Sequence, residues 1–180
     1  MTTIKKNLLK STTLIILLVI VLCSIAYSSL NGNKWLSQGD KTSIQDTVAN
    51  PITLRDSIVS FSMGLLGKPY LESGSSENGF DCSGFVYYVF QHFKIQVPRS
   101  SPQFEHFGKK IPIDRVQKGD ILVFLSPTSN VIGHVGIVTN AKGKDSDFIH
   151  SSSGREMKVI ITSLKKEGYA RRFVKAVRVF

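Results

Sequence analysis

The spacing of apolar residues changes several times along the chain, and each change marks a boundary. Leu14 to Cys23 is an unbroken apolar run that resumes after Ser24 with Ile25 and Ala26. From Tyr27 to Asn50, Ser, Asn, Gly, Thr and Gln dominate without sustained periodicity, which predicts a tether. Thr53 and Asp56 then stand at capping-box spacing, Leu54, Ile58, Phe61 and Leu65 fall at helical spacing, and Gly67 and Pro69 stop the pattern. A first helix is expected there. Beyond a Gly/Ser-rich loop from Ser73 to Gly79, Phe85, Val86, Val89, Phe90 and Phe93 predict a second helix that starts near Cys82 and ends before Pro98. Ser101 before Pro102 is placed to cap a short helix through Phe107. The rest of the chain reads as strands: Ile121 to Leu125, Val131 to Thr139, Asp147 to Ser151, Met157 to Thr162 and Ala170 to Phe180. Helices first and strands later give an α+β class, and the absence of an internal repeat excludes a solenoid.

Charge and small residues give the first segment a meaning. Lys5, Lys6 and Lys10 precede the apolar run, so residues 1–26 read as an export signal or membrane anchor. Ser24 and Ala26 occupy the small-residue positions of a cleavage site; uncleaved, the segment from about residue 12 to 30 is an anchor. Lipidation at Cys23 is disfavoured by the bulky Leu22. Residues 27–50 are then the tether and residues 51–180 a single domain, expected outside the cytoplasmic membrane in the periplasm, wall space or medium. The formal charge is +10; without the three leader lysines, 20 basic residues face 13 acidic ones, a balance of +7. No Lys/Arg run interleaved with aromatics suggests nucleic-acid binding, whereas a basic exported surface suits anionic lipids and wall polymers.

Cysteine use narrows the chemistry. The chain has two cysteines, and Cys23 lies in the leader, so Cys82 is the sole thiol of the domain. Without an internal disulfide partner it is inert, joined to another chain, or kept for its reactivity. Asp81 is a good cap for the second helix, which places Cys82 in the first turn, where backbone N–H groups favour an ionised sulfur. Such a nucleophile needs a base that later acts as an acid, the role suited to His. Of the four histidines, His92 and His106 sit on helical segments without a partner. His134 and His150 lie on consecutive strands whose connection, Asn140 to Asp145, centres near Lys142. A hairpin symmetric about that point sets the two rings directly opposite, with Cβ atoms about 5 Å apart. A one-residue slip would send them to opposite faces. Gly133 and Gly136 strip bulk from both sides of His134, leaving an approach for another backbone or a ligand. A zinc site from Cys82, His134 and His150 lacks CxxC or HxxxH spacing, and no cofactor is called for.

Taken in order, Gly79-Phe80-Asp81-Cys82-Ser83-Gly84-Phe85, Lys118-Gly119-Asp120-Ile121, Gly133-His134-Val135-Gly136-Ile137 and Phe148-Ile149-His150 resemble the NlpC-type cell-wall peptidases, a papain-like family. The resemblance covers roughly Pro51 to Phe180. It implies Cys82 as nucleophile, His134 as general base and acid, and His150 as the polar residue that orients the His134 ring. It also implies that Tyr70 lies beside the thiolate and that Asp81 and Ser83 hold the amino end of the substrate. The implied fold sets N-terminal helices carrying the Cys against an antiparallel sheet carrying the His residues. The implied partner is the peptidoglycan stem peptide, cut between γ-D-glutamate and a diamino acid through a thioester. A papain-like amidase, an acyltransferase on the same fold and a non-catalytic wall-binding module are the competing classes. Glu72 and Ser73 depart from the resemblance, since a second Gly commonly precedes the position of Gly74.

Overall fold

A computed structural model of the protein describes residues 51–180. The leader and the tether, residues 1–26 and 27–50, lie outside the described residues. Helix α1, Leu54–Met63, starts where the sequence predicts: Thr53 caps it, its hydroxyl accepting from the Asp56 N–H at 3.2 Å while the Asp56 carboxylate accepts from the Thr53 N–H. Leu65 lies past the helix end, in the turn that carries the chain to Gly67 at φ +81°. The loop that follows contains a small hairpin, β1 (Ser75–Ser76) with β2 (Gly79–Phe80). Helix α2, Cys82–His92, is capped by the Asp81 carboxylate, which accepts from the Gly84 N–H at 2.6 Å. The expected short helix after Pro98 is a 3₁₀ segment, Ser101–Glu105. Its cap is Ser100 rather than Ser101, because Ser100 and Gln103 form the reciprocal side-chain and backbone pair, and it ends before Phe107.

Strands β3 (Lys109–Ile111), β4 (Ile121–Leu125), β5 (Ile132–Asn140), β6 (Asp147–Ser152), β7 (Lys158–Ser163) and β8 (Phe173–Arg178) form one antiparallel sheet in the order β3-β8-β4-β5-β6-β7. The last expected strand is shorter than predicted. Its opening residue, Ala170, belongs to a helical turn, α3 (Glu167–Ala170), whose end is tied by an ion pair between Arg171 and Glu167 at 3.0 Å. Alternate residues of β4 enter two separate cores. Ile121 and Val123 join Ile58, Phe85, Val89 and Phe90 under the helices, while Leu122 and Phe124 join Val138, Phe148, Leu164 and Ala176 on the other face. Burial on both faces is why this strand is an unbroken apolar run instead of an alternating one. At its start the buried Asp120 carboxylate accepts from Arg55 at 3.2 Å, from Arg178 at 2.9 and 2.7 Å and from the Gln117 N–H at 2.8 Å. That carboxylate joins α1 to the sheet, and its charge is compensated by two guanidinium groups.

Candidate active site

Helix α2 and strand β5 bring Cys82 and His134 to one cleft. Cys82 is partly exposed at the first position of α2, with its sulfur 3.8 Å from the Gly133 carbonyl at the start of β5. The helix start packs tightly behind it: a Cβ on Gly84 would collide with the Gly74 carbonyl. The expectation of an easily ionised thiol is not met. Burial, with the Asp81 carboxylate beside it, pushes the Cys82 thiol up, against backbone N–H groups of Val135, Ser83 and Cys82 that pull it down.

His134 and His150 share one face of the sheet, but they are not directly opposed. The β5–β6 register pairs Ile137 with Ile149 and Val138 with Phe148, so the hairpin is centred on Gly143 instead of Lys142. A bulge between Val138 and Asn140 and a 3₁₀ turn at Gly143–Asp145 displace the centre by one residue and the pairing by two. A shift of two preserves the face. Gly136, not His134, therefore lies beside His150; a Cβ on Gly136 would be 3.0 Å from the His150 Cβ and 2.6 Å from the Phe148 ring. With that volume empty, the rings meet diagonally, edge to face at 4.8 Å between centroids, with His134 Nε2 2.9 Å from His150 Nδ1. Gly133 likewise admits a neighbour rather than a ligand, since a Cβ there would be 2.8 Å from the Ser126 Cα.

His150 is fully buried and reaches Thr162 Oγ1 through Nε2 at 3.0 Å. Burial lowers the His150 pKa to about 4 and, with the charges of His150 and Arg172 adding to it, holds His134 well below its ordinary value. Both rings are neutral at pH 7. Since His134 Nε2 is engaged by His150, Nδ1 is the His134 nitrogen left for a proton from the cleft.

Two cavities flank Cys82 and share Tyr70, Cys82 and Gly133. The larger, about 490 Å³, extends past Glu72, Asp81, Ser83 and Arg99; the smaller, about 260 Å³, contains His134, Tyr169 and Arg172. Tyr70 is thus beside the sulfur, and burial raises its pKa. Asp81 borders the larger cavity with its oxygens already engaged: Oδ1 accepts from Gly84 N–H, Ser83 Oγ and Arg99 Nη1, and Oδ2 from Arg99 Nη2 at 2.8 Å. Ser83 is buried. Ser73, where the resemblance expected Gly, has φ +60°, and its carbonyl accepts from Arg99 at 2.6 Å. His92 stacks on Phe61 at 3.8 Å and His106 is exposed; neither lines these cavities. Sequence reasoning missed Thr162, Arg99, Tyr169 and Arg172. None of the four had a local signal; Thr162 shares the face of His150 only through the β6–β7 register, in which His150 pairs with Ile160 two residues away.

A helix-borne cysteine facing an imidazole pair on an antiparallel sheet is the arrangement of a papain-like α+β domain. Residues 67–178 match the NlpC/P60 family, and the chain belongs to that family. It is 39% identical over 123 residues to murein DD-endopeptidase MepH of Escherichia coli K12, an alignment covering 65% of this chain and 43% of the relative. It is 31% identical over 159 residues to the gamma-D-glutamyl-L-lysine dipeptidyl-peptidase of Bacillus cereus, covering 86% and 46%. Among solved structures, a NlpC/P60 family protein from Bacillus cereus superposes with a TM-score of 0.62 at 30% identity, over 71% of this chain and 40% of the other. The chain thus spans less than half the length of these relatives.

Proposed function

We propose that the protein is a cysteine-type hydrolase of peptidoglycan stem peptides, acting outside the cytoplasmic membrane on the bond between γ-D-glutamate and a diamino acid. The observation that carries the reading is the line from the Cys82 cavity through His134 to His150 and Thr162, which leaves His134 Nδ1 as the available base. The bond is the finer part of the proposal, because one relative is named a DD-endopeptidase and the other a gamma-D-glutamyl-L-lysine dipeptidyl-peptidase.

In this mechanism the resting pair is a neutral thiol and a neutral imidazole, consistent with a raised Cys82 and a lowered His134. The thiol proton passes to His134 Nδ1 as the sulfur attacks the scissile carbonyl. His134 is then an imidazolium whose Nε2–H donates to His150 Nδ1. A neutral His150 that accepts there carries its own proton on Nε2 and donates it to Thr162 Oγ1, so burial of His150 keeps the acceptor available. In this reading backbone N–H groups at the start of α2 stabilise the oxyanion. Collapse of the tetrahedral adduct breaks the C–N bond, the departing amine takes the Nδ1 proton, and the acyl group remains on Cys82 as a thioester. Water, deprotonated by the same nitrogen, releases the acid and restores the thiol. Tyr70, Asp81 and Ser83 border the cavity assigned to the acyl half.

Mass spectrometry of defined muropeptides incubated with the full chain tests the reading. Wild type releases the fragment cut after γ-D-glutamate, Cys82→Ala releases none, and His134→Ala loses at least about 10²-fold. Release of an intact stem from the sugar would instead identify an amidase, and capture of the acyl group by an added amine an acyltransferase. Binding without cleavage by wild type would leave a wall-binding module.

A further inference from the structure

The cavities beside Cys82 differ in charge as well as in size. The leaving amine takes its proton from His134, so the leaving half of the substrate lies on the His134 side, in the smaller cavity. No carboxylate lines that cavity, and Arg172 is its cation. Arg172 is half-buried and fixed: Nε donates to the Gly168 carbonyl at 2.7 Å, Nη1 donates to the Leu125 carbonyl at 2.9 Å, and the guanidinium lies 5.0 Å from the Tyr169 ring centroid. Among the described residues Arg172 forms no ion pair, and besides the two carbonyls it meets only the Tyr169 hydroxyl, a neutral group. Its guanidinium lines the smaller cavity without a counter-charge. Three other arginines differ. Arg99 is spent on Asp81 and two carbonyls, and Arg55 and Arg178 are spent on Asp120.

We propose that the smaller cavity holds the leaving diamino acid through a carboxylate that binds Arg172. The inference rests on the proposed hydrolysis, because that reaction decides which half lies beside His134. A fixed guanidinium without a counter-ion suits a carboxylate, and no charge in the cavity competes for it. A side-chain ammonium alone would meet a like charge there. The carboxylate has two sources: the side chain of a diaminopimelate-type residue, or the main-chain carboxyl of a stem that ends at the diamino acid.

Titration of the full-length Cys82→Ala protein with γ-D-glutamyl-diaminopimelate separates these sources. The dipeptide is used with both diaminopimelate carboxyls free, with either one amidated, and with both amidated. Doubly amidated ligand is expected to bind about 10- to 100-fold more weakly than the free form. The single amide that reproduces the loss identifies the source. In Cys82→Ala/Arg172→Gln the four ligands should bind within a few fold of one another. Equal binding of free and doubly amidated ligand to Cys82→Ala overturns the inference, as does a preference that persists without Arg172. The first comparison uses one protein, so any loosening of the Leu125 and Gly168 contacts by the substitution does not enter it. Incubating wild type with the same dipeptides keeps the two ideas apart: failure to cut any of them would sink the hydrolase reading, while the binding pattern still judges the carboxylate site.

Discussion

His150 and Thr162 touch neither the sulfur nor the cleft, yet they decide which protons His134 can carry. In the proposed mechanism His150 Nδ1 must accept, and Thr162 Oγ1 must accept the hydrogen bond from the other His150 nitrogen at 3.0 Å. These two are positioning residues, and conservative replacements should separate orientation from mere packing. His150→Asn keeps a hydrogen-bonding group and should retain measurable turnover, where His150→Ala loses more. Thr162→Val keeps the shape and removes the hydroxyl, which leaves a buried N–H without its acceptor, at a cost of about 1–3 kcal/mol. Part of that cost should appear in catalysis as a roughly tenfold fall in kcat at little changed KM, with Thr162→Ser restoring it. Steady-state kinetics on one muropeptide, with folding checked by circular dichroism, measures all four variants. Equal kcat in Thr162→Val and wild type would remove Thr162 from the mechanism.

Among the elements, β5 shows how a missing side chain builds a site. Gly136 leaves room for Phe148 and for the His150 ring that meets His134, so Gly136→Ala is expected to be an overpacked variant, destabilised by about 1–3 kcal/mol. Its activity should fall further than its stability explains, because a Cβ 3.0 Å from the His150 Cβ separates the rings. Denaturant unfolding and turnover measured on the same preparation test this, and a folded variant with wild-type kcat would contradict it. What could be read in advance follows from the same locality. Asp81, Cys82 and the apolar face of α2 were legible because a cap and a helical period are set within a few residues. The shared face of His134 and His150 was legible because strand parity survives a shift of two, but the register was not, because the bulge after Val138 breaks a symmetric count. Lys109-Lys110-Ile111 lacks alternation and pairs with β8 far along the chain, so β3 left no local signal. Arg172 and Tyr169 reach the cleft only because α3 and the start of β8 fold back on it.

For the whole molecule, the lysine-flanked apolar leader remains the basis for placing the domain beyond the membrane. A reporter active only outside the cytoplasm, fused after Phe180, should be active; activity from a cytoplasm-only reporter would contradict export. The buried imidazole pair makes a second prediction at this scale. His150 has an ordinary value of 6.5 and a folded value of about 4, and His134 is displaced in the same direction. Between those values the unfolded chain binds more protons than the folded one, so stability rises with pH through this window. The contribution is fully present above about pH 6.5 and is lost as pH falls towards 4, amounting to about 3 kcal/mol for His150. Asp56 and Glu77 also have lowered values, so what these carboxylates contribute is lost in the same direction, starting at the acid end of this window. Urea unfolding at intervals from pH 7 to 4 should therefore show a steady decline, and His150→Asn should make it shallower while His134 keeps part of it. A decline equally steep in His150→Asn would mean that groups other than this imidazole set the acid sensitivity of the fold.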